Sequence, residues 1–468
     1  LPAANPHDPT RWCQVDLTRD GNSVYDLLNY AAYVQDTITK GRTTLQLGLR
    51  YDYNRDKAMA SSIVANPLGG PWLPGINFPG ADPGVAFNDF SPRLGLTYNL
   101  TGDGRTLARA NYARYYGQVG NGGVASTINP VGSTTLRYGW NDANRNQVAE
   151  DGEIRLNATP LSASTNWSAA NPANTVSANS VDPNLKNDTT DEFIVGLDRE
   201  IGRGFAVGAN YIYRKYGNFQ WNDRVNFTSS EWVPVSFTPT TGCQGSDGLR
   251  TEASRCPTVS YYEPTIQQPT IITLSNIPGY ERVFNGIELT GRKRMSARWM
   301  MNTSFTYNTT DVHHNDFAGA GNQSSGTAGT IPISEDPTNR VVRDGGQYDY
   351  LTSGSGIGNV YVNTKWLFKL SGLYELPWRV NVSGFYNARQ GYPFEQGILS
   401  PSRLRGAGTV FVVLDPVGDV RLPNYHNVDF HVERPISLAT VKFVPSLDVF
   451  NLTNGNTVQA IRGTQNAA

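Results

Sequence analysis

Apolar and polar residues alternate along many short segments of this chain, and this pattern constrains the fold more than any other feature. The segment Thr44–Tyr53 has leucine or tyrosine at every second position, with Gln46, Gly48, Arg50 and Asp52 between them. Successive side chains of a β-strand point to opposite faces, so each such segment has one apolar and one polar face. The pattern predicts an all-β protein.

About twelve strands are predicted, near residues 30–38, 43–53, 91–100, 106–116, 189–200, 205–216, 281–294, 298–310, 360–376, 379–389, 426–434 and 440–450. Their connections alternate between tight turns and loops of tens of residues, the longest at about 117–188 and 217–280. Short turns at one end and long extracellular loops at the other are typical of an antiparallel transmembrane β-barrel of the outer membrane.

Tyrosine positions favour the same architecture. Read from a short turn towards a long loop, the strands end in Tyr51, Tyr53, Tyr112, Tyr115, Tyr116, Tyr211, Tyr213, Tyr216, Tyr307 and Tyr386. Tyrosine suits a membrane–water interface because its ring is apolar and its hydroxyl prefers water. We therefore expect an aromatic girdle at the long-loop end.

Strand parity also assigns residues to the two faces. Those expected to face the outer-membrane lipid are Leu45, Leu47, Leu49, Leu94, Leu96, Val207, Leu370, Val428, Phe430 and Val432. Those expected to face inward include Arg50, Arg93, Arg109, Arg292, Lys369, Asp52, Glu192, Glu288 and Asp429. Mixed charge signs favour a hydrated interior over a selective anion path.

Charge and hydropathy exclude two other classes of protein. The 468 residues carry a net charge of −1, so the chain has no basic field for binding nucleic acid. Mean hydropathy is −0.41, and no apolar run approaches the roughly 18–20 residues that a membrane-spanning helix needs. A barrel, whose signal is alternation, remains.

Four segments carry a resemblance to a known family: Tyr33–Asp56, Phe90–Leu100, Phe368–Trp378 and SLDVFNLTN at Ser446–Asn454. They resemble the barrel of TonB-dependent outer-membrane transporters, in particular the large receptors with a carboxypeptidase-regulatory-like domain before the plug. This resemblance implies a 22-stranded barrel, an internal plug and energy supplied through TonB in the inner membrane.

The resemblance also implies which part of such a receptor this chain represents. Residues 1–468 are expected to be the C-terminal portion of the barrel, with the plug, the TonB box and the N-terminal domains absent from the sequence. Contact with the TonB complex would be made through that missing N-terminal region. The expected location is the outer membrane of a Gram-negative bacterium.

The leading hypothesis for function is a TonB-dependent transporter that captures a ligand in its extracellular loops. Peptides or carbohydrates are ligands that the family suggests. The alternatives are a structural or adhesive surface protein, because large loops bind partners without transport, and a hydrolase embedded in a barrel. The sequence has no GxSxG, HExxH or phosphate-binding glycine loop, so we expect no enzyme activity.

The segment Asp142–Glu153, DANRNQVAEDGE, has the ligand spacing of an EF-hand calcium loop. Positions 1, 3, 5, 7, 9 and 12 hold Asp142, Asn144, Asn146, the Val148 carbonyl, Glu150 (direct or through water) and Glu153. Oxygens at alternate positions let one winding loop surround Ca²⁺. Gln147 replaces the usual glycine at position 6, so an irregular site is expected. The alternative is a polar extracellular loop that matches by chance.

Two cysteines of one long loop are predicted to form a disulfide. Cys243 and Cys256 are separated by twelve residues, and an outer-membrane protein folds from the oxidising periplasm. The alternative is two unrelated thiols.

Overall fold

A computed structural model describes residues 13–164, 166–202, 204–238, 257–314, 319–320, 333–334, 345–347, 350–352, 360–393, 397–414 and 418–459. Its strands and four short 3₁₀ turns account for the regular structure of these residues. The turns are Gly70–Trp72, Ala125–Ile128, Ser229–Glu231 and Pro377–Arg379.

In the described residues, twelve strands form one path through a large antiparallel sheet, in which neighbours along the chain are neighbours in space. They are β1 (Tyr25–Lys40), β2 (Thr43–Ala58), β3 (Phe87–Asn99), β4 (Thr106–Tyr116), β5 (Thr189–Gly202), β6 (Phe205–Gly217), β7 (Glu281–Ser296), β8 (Trp299–His313), β9 (Trp366–Leu376), β10 (Val380–Arg389), β11 (Tyr425–Glu433) and β12 (Ser446–Val449). Each strand lies where alternation predicted one, and the all-β antiparallel fold is confirmed.

Two of these strands are shorter than predicted. The segment predicted as 360–376 divides into Val360–Val362 and β9, because the chain leaves the sheet at Asn363–Lys365. The segment predicted as 440–450 contributes only β12, and Ile436–Leu438 pairs with Val441–Phe443 in a separate hairpin. Pro445 precedes β12 directly, and proline cannot donate a ladder hydrogen bond.

The strand register confirms how the two faces were assigned from parity. Leu47 lies opposite Leu94 and Val207 opposite Gly291, and the same pairing continues to Val428. All ten residues expected to face lipid fall on one face, and all nine inward-facing charged residues fall on the other. The apolar face remains exposed, with Leu94 at 46% and Ile287 at 48%. An apolar face this extensive requires a hydrocarbon environment.

Aromatic side chains gather on the apolar face near the long-loop ends of the strands. Tyr30 stacks on Tyr53 with ring centroids 4.8 Å apart, and Tyr112 lies 4.6 Å from Phe193. The hydroxyl of Tyr112 donates a hydrogen bond to Asp191, on the side of the long loops. An aromatic ring that lies on the apolar face while its hydroxyl bonds a polar partner is the arrangement expected at a membrane–water interface.

The long loops carry the short strands and most of the fully buried side chains. One three-stranded sheet joins Cys13–Arg19, Thr134–Trp140 and Ser162–Ala163, and another joins Ser180–Val181, Ile272–Asn276 and Gln220–Arg224. The remaining pairs are Ser61–Ile63 with Ile76–Phe78, Trp232–Phe237 with Val259–Pro264, Gly397–Leu399 with Phe411–Val413, Gly319–Ala320 with Ile333–Ser334, Tyr350–Thr352 with Val360–Val362, and Gly346–Gln347 with β8. The loops therefore form a packed structure at one end of the sheet.

Candidate functional site

The loop Asp142–Glu153 projects from the packed structure formed by the long loops. Trp140 and Ile154, on either side of it, form an isolated β-bridge, and the N–H of Asn141 donates to the Glu153 carbonyl at 3.0 Å. Ile154 is buried in an apolar cluster with Leu136 and Tyr138. Both ends of the loop are therefore fixed by the apolar cluster beneath it.

Side-chain oxygens in the first half of this loop bind backbone N–H groups. The two carboxylate oxygens of Asp142 accept hydrogen bonds from the N–H groups of Asn146, at 3.0 Å, and Gln147, at 2.9 Å. Asn144 and Asn146 each accept from the N–H two residues further on. The backbone consequently winds around the side chains at positions 1, 3 and 5.

The two glutamates of the loop close its second half. The Glu150 carboxylate accepts hydrogen bonds from the side-chain amides of Asn144, at 2.7 Å, and Asn146, at 2.8 Å. Glu153 accepts from the N–H groups of Ala143 and Glu150. Hydrogen bonds within the loop thus involve all five side chains that the sequence predicted as ligands, but their three carboxylates do not converge in a metal-binding arrangement. The role of the Val148 carbonyl remains a prediction.

The backbone turns sharply at the position where an EF-hand has glycine. Gln147 has φ of 62°, and Arg145 has the same value. This left-handed conformation costs a side-chain-bearing residue roughly 1–2 kcal/mol. The strain expected from Gln147 is therefore present in the backbone.

The ligand types in this loop suit a hard cation, although the side-chain amides of Asn144 and Asn146 present their nitrogens, not their oxygens, to Glu150. Carboxylate, amide and carbonyl oxygens are the ligands that Ca²⁺ prefers. Among the described residues, no three His, Cys, Asp or Glu side chains converge in a metal-binding arrangement. The amide nitrogens of Asn144 and Asn146 face Glu150, so both amides must rotate to present oxygen to an ion.

Ion pairs cover much of the polar face of the sheet. Arg50 pairs with Asp52 at 2.7 Å within β2, and Arg109 of β4 pairs with Asp198 of β5 at 2.6 Å. Glu192 pairs with Arg214 of the neighbouring strand. At these three places opposite charges therefore neutralise one another within the sheet.

A cavity of about 400 Å³ opens on the polar face beside Gly48 and Gly95. Gln35, Gln46 and Arg93 are among the residues that line it. Sequence analysis missed this cavity because the two glycines are adjacent only in the register that pairs Gly48 with Arg93 and Gln46 with Gly95. Two glycines at inward positions of neighbouring strands are the signal that could have indicated it.

Buried carboxylates at the base of the loops are a second feature that sequence analysis missed. Asp56 is 2% exposed, and its Oδ2 accepts the N–H groups of Val124 and Ala125 at 3.1 Å each. Burial raises the pKa of Asp188 to about 6, although the Gln220 N–H and the Arg282 charge act in the opposite direction. The two Asp56 bonds anchor the loop of residues 117–188 to β2.

The predicted disulfide and one histidine of the polar face complete the description of the candidate residues. Cys243 and Cys256 lie outside the described residues, so their disulfide stays a prediction. His431 faces the polar side of the sheet, where its Nδ1 lies 2.6 Å from Asp448. That contact joins β11 to β12, in keeping with a polar wall.

No helix in the part of the chain that the structure describes is long and apolar enough to cross a membrane.

Comparison with known proteins gives one family and several relatives. The family described as "Outer membrane beta barrel domain" matches residues 15–392, about four fifths of the chain. The TonB-dependent transporter Oar of Myxococcus xanthus is 26% identical over 196 residues, covering 39% of this chain and 17% of that protein. This similarity confirms the resemblance found in the sequence.

Two solved structures overlap with part of the fold. The FrpB iron transporter of Neisseria meningitidis is 10% identical, with a TM-score of 0.43 over 95% of this chain and 44% of that one. The outer membrane transporter YddB of Escherichia coli is 14% identical, with a TM-score of 0.43 over 92% of this chain and 51% of that one. The chain thus spans less than a fifth of Oar and about half of each of these transporters.

Proposed function

This chain belongs to the family of outer membrane beta barrel domains and resides in the outer membrane of Gram-negative bacteria. We propose that it forms part of the barrel wall and the extracellular mouth of a TonB-dependent transporter. The long loops capture a ligand outside the cell, and the TonB complex supplies the energy for its uptake. The similarity to Oar is the observation that carries this proposal.

The packed loops support ligand capture at the long-loop end. The strand Cys13–Arg19 pairs along its whole length with Thr134–Trp140, which lies more than a hundred residues away in the chain. Apolar clusters beneath the loops bury Leu73, Val131 and Ile398 completely. A surface that binds a ligand selectively needs such fixed geometry, because ordering a loose loop on binding costs affinity.

We also propose that the twelve strands are part of a larger barrel, with 22 strands as the resemblance implies. In the described residues, β1 pairs only with β2, and β12 pairs only with β11. An unpaired backbone N–H or C=O costs several kcal/mol in hydrocarbon, so further strands are needed at both edges.

A calcium ion in the loop Asp142–Glu153 is the cofactor that we propose. All five predicted ligand side chains take part in hydrogen bonds within this loop, and Gln147 has the positive φ that glycine provides at position 6. The three carboxylates would have to move closer together to bind the ion. The ion would replace the two amide contacts of Glu150 and fix the outer part of the mouth.

An adhesive or structural surface protein is the competing function. Large loops suit it equally, but the relatives named above are transporters, and none is described as an adhesin or an enzyme. Energised transport has a requirement that adhesion lacks, namely contact with TonB.

Binding to TonB tests the proposed function. The full-length gene product, purified from outer membranes, is mixed with the periplasmic domain of TonB, and complex formation is followed by analytical ultracentrifugation. We expect a saturable complex, whereas a general porin, as the control, should form none. Failure of the full-length protein to form a complex at any concentration would contradict TonB-dependent transport.

A further inference from the structure

The cavity beside Gly48 and Gly95 contains a charged side chain that the sheet does not neutralise. Arg93 lies in its wall, and its guanidinium sits 5.5 Å from the centroid of the Tyr115 ring. Across the described ranges, the Arg93 side chain forms no ion pair or hydrogen bond. This differs from Arg50 and Arg109 on the same face, which each have a carboxylate partner.

Neither carboxylate that lines the cavity changes this. Asp36 lies opposite Leu47, on the apolar face of the sheet, away from Arg93. Glu192 also lines the cavity, but it already binds the guanidinium of Arg214 on the neighbouring strand. The pairing leaves the positive charge of Arg93 available to a molecule that enters the cavity.

Three uncharged amides surround the same space. Gln35, Gln46 and Asn111 line the cavity, and within the described chain their side chains have no hydrogen-bond partner. A Cβ atom at position 95 would lie 3.0 Å from both Asn111 Oδ1 and Gln46 Oε1. Because glycine has no Cβ, the amide oxygens of Gln46 and Asn111 can approach the backbone at position 95, and the cavity stays open.

We propose that this cavity is a binding subsite for a ligand that carries a carboxylate next to other hydrogen-bonding groups. Arginine binds a carboxylate through two parallel N–H donors, which is its strongest and most directional interaction. The amides of Gln35, Gln46 and Asn111 donate to and accept from neighbouring amide or hydroxyl groups of the ligand. The ring of Tyr115 supports the guanidinium from one side.

This inference deepens the proposed function, because it places a specificity-determining residue in the wall of the transport path. Peptides with a free C-terminus and sugar acids both combine a carboxylate with such hydrogen-bonding groups. The chemistry that they share, rather than either source, is what Arg93 recognises.

Binding of two simple probes to the purified full-length protein tests the subsite. Trialanine represents peptides, galacturonate represents sugar acids, and trialanine amide is a control that lacks the C-terminal carboxylate. Saturation-transfer difference NMR at millimolar ligand measures the dissociation constants. We expect at least one of the two carboxylate probes to bind. If trialanine binds, trialanine amide should bind at least about tenfold more weakly. Arg93→Gln should weaken binding of the carboxylate probe at least about tenfold.

Matched variants distinguish a specific site from general charge. Arg292→Gln removes another inward-facing arginine and should leave binding unchanged. Gly95→Ala should weaken binding, because the added Cβ displaces the amide oxygens of Gln46 and Asn111. The inference is overturned if neither carboxylate probe binds, or if Arg93→Gln and Arg292→Gln behave alike. Loss of probe binding with an intact TonB complex refutes only this subsite, whereas loss of the TonB complex alone refutes the proposed function.

Discussion

Glu153 closes its loop onto the beginning of the same loop, because its Oε1 accepts a hydrogen bond from the backbone N–H of Ala143 at 3.0 Å. The two residues are ten positions apart, so this bond defines the size of the loop. The bond places the carboxylate at position 12 beside the start of the loop, where Asp142 lies. For both carboxylates to bind one ion they would have to converge further, because no three acidic side chains of the described residues form a metal-binding group.

Removing either terminal carboxylate should abolish calcium binding by this loop. The wild-type protein should bind one ion with a dissociation constant of roughly 10⁻⁴–10⁻³ M, the range of extracellular calcium modules. Asp142→Ala and Glu153→Ala should each eliminate that binding in isothermal titration calorimetry. Asp151→Ala is the control, because Asp151 lies outside the predicted ligand set. Uptake that survives both ligand substitutions would contradict the assignment.

Glycine at position 147 should strengthen calcium binding. Gln147 has φ of 62°, a conformation that glycine adopts without the steric cost that a side chain carries. Calcium should hold the loop in this conformation more often than the free loop adopts it, so removing about 1 kcal/mol of strain should tighten the dissociation constant by up to about fivefold. The measurement is the same titration, with Gln147→Ala as the control that retains a Cβ. A glycine variant with unchanged affinity would show that this turn does not limit binding.

The apolar face of the sheet should tolerate charge far less than the polar face. Leu47 is the fifth of the sixteen residues of β2 and lies on the apolar face, and Gln46 is its neighbour on the polar face. Leu47→Arg should cost about 2–4 kcal/mol of unfolding free energy, the cost of arginine at the bilayer midplane. Gln46→Arg should cost much less, and urea unfolding of the full-length protein in lipid vesicles measures both values. Equal costs would reverse or abolish the distinction between the faces.

Asp188 should make the stability of the protein depend on pH between about 4 and 6. Burial raises its folded-state pKa to about 6, above the value near 3.9 of an unfolded chain. The folded state therefore holds the proton more tightly, and the penalty for the charged form disappears as the pH falls through this interval. Above pH 6, Asp188→Asn should be more stable than wild type by about 1–2 kcal/mol, allowing for partial exposure.

Urea unfolding of Asp188→Asn and of wild type between about pH 4 and pH 6 measures the difference in their unfolding free energies. It should shrink towards low pH, because the wild-type side chain becomes neutral like the amide. Asp151→Asn, in an exposed loop, is the control for replacing a carboxylate by an amide elsewhere in the chain. A difference that is constant with pH would mean that Asp188 titrates normally.

Strand positions were predictable from the sequence because period-two alternation is a local property. Leu45, Leu47 and Leu49 reveal their common face without any knowledge of the rest of the fold. The spacing of Asp142 and Glu153 is equally local, and each carboxylate accepts a backbone N–H within the loop, whereas their binding of calcium stays a prediction.

Other features depend on contacts that no local pattern records. The cavity at Arg93 exists because the register places Gly48 and Gly95 side by side, and Asp56 is buried by a turn almost seventy residues further along the chain. The hairpin before β12 was missed because the alternation of Val441–Phe443 does not show whether this segment pairs with Ile436–Leu438 or with the main sheet.

Accessibility of the two ends of the sheet in intact cells tests the central claim most directly. Single cysteines are placed at Val148 in the long loop and at Asp103 in the turn between β3 and β4, and a membrane-impermeant maleimide is added, with wild type setting the background. A barrel with extracellular long loops predicts labelling of the cysteine at position 148 in intact cells. The cysteine at position 103 should react only after the outer membrane is opened. Labelling at position 103 in intact cells, with position 148 protected, would contradict the orientation and with it the account of ligand capture.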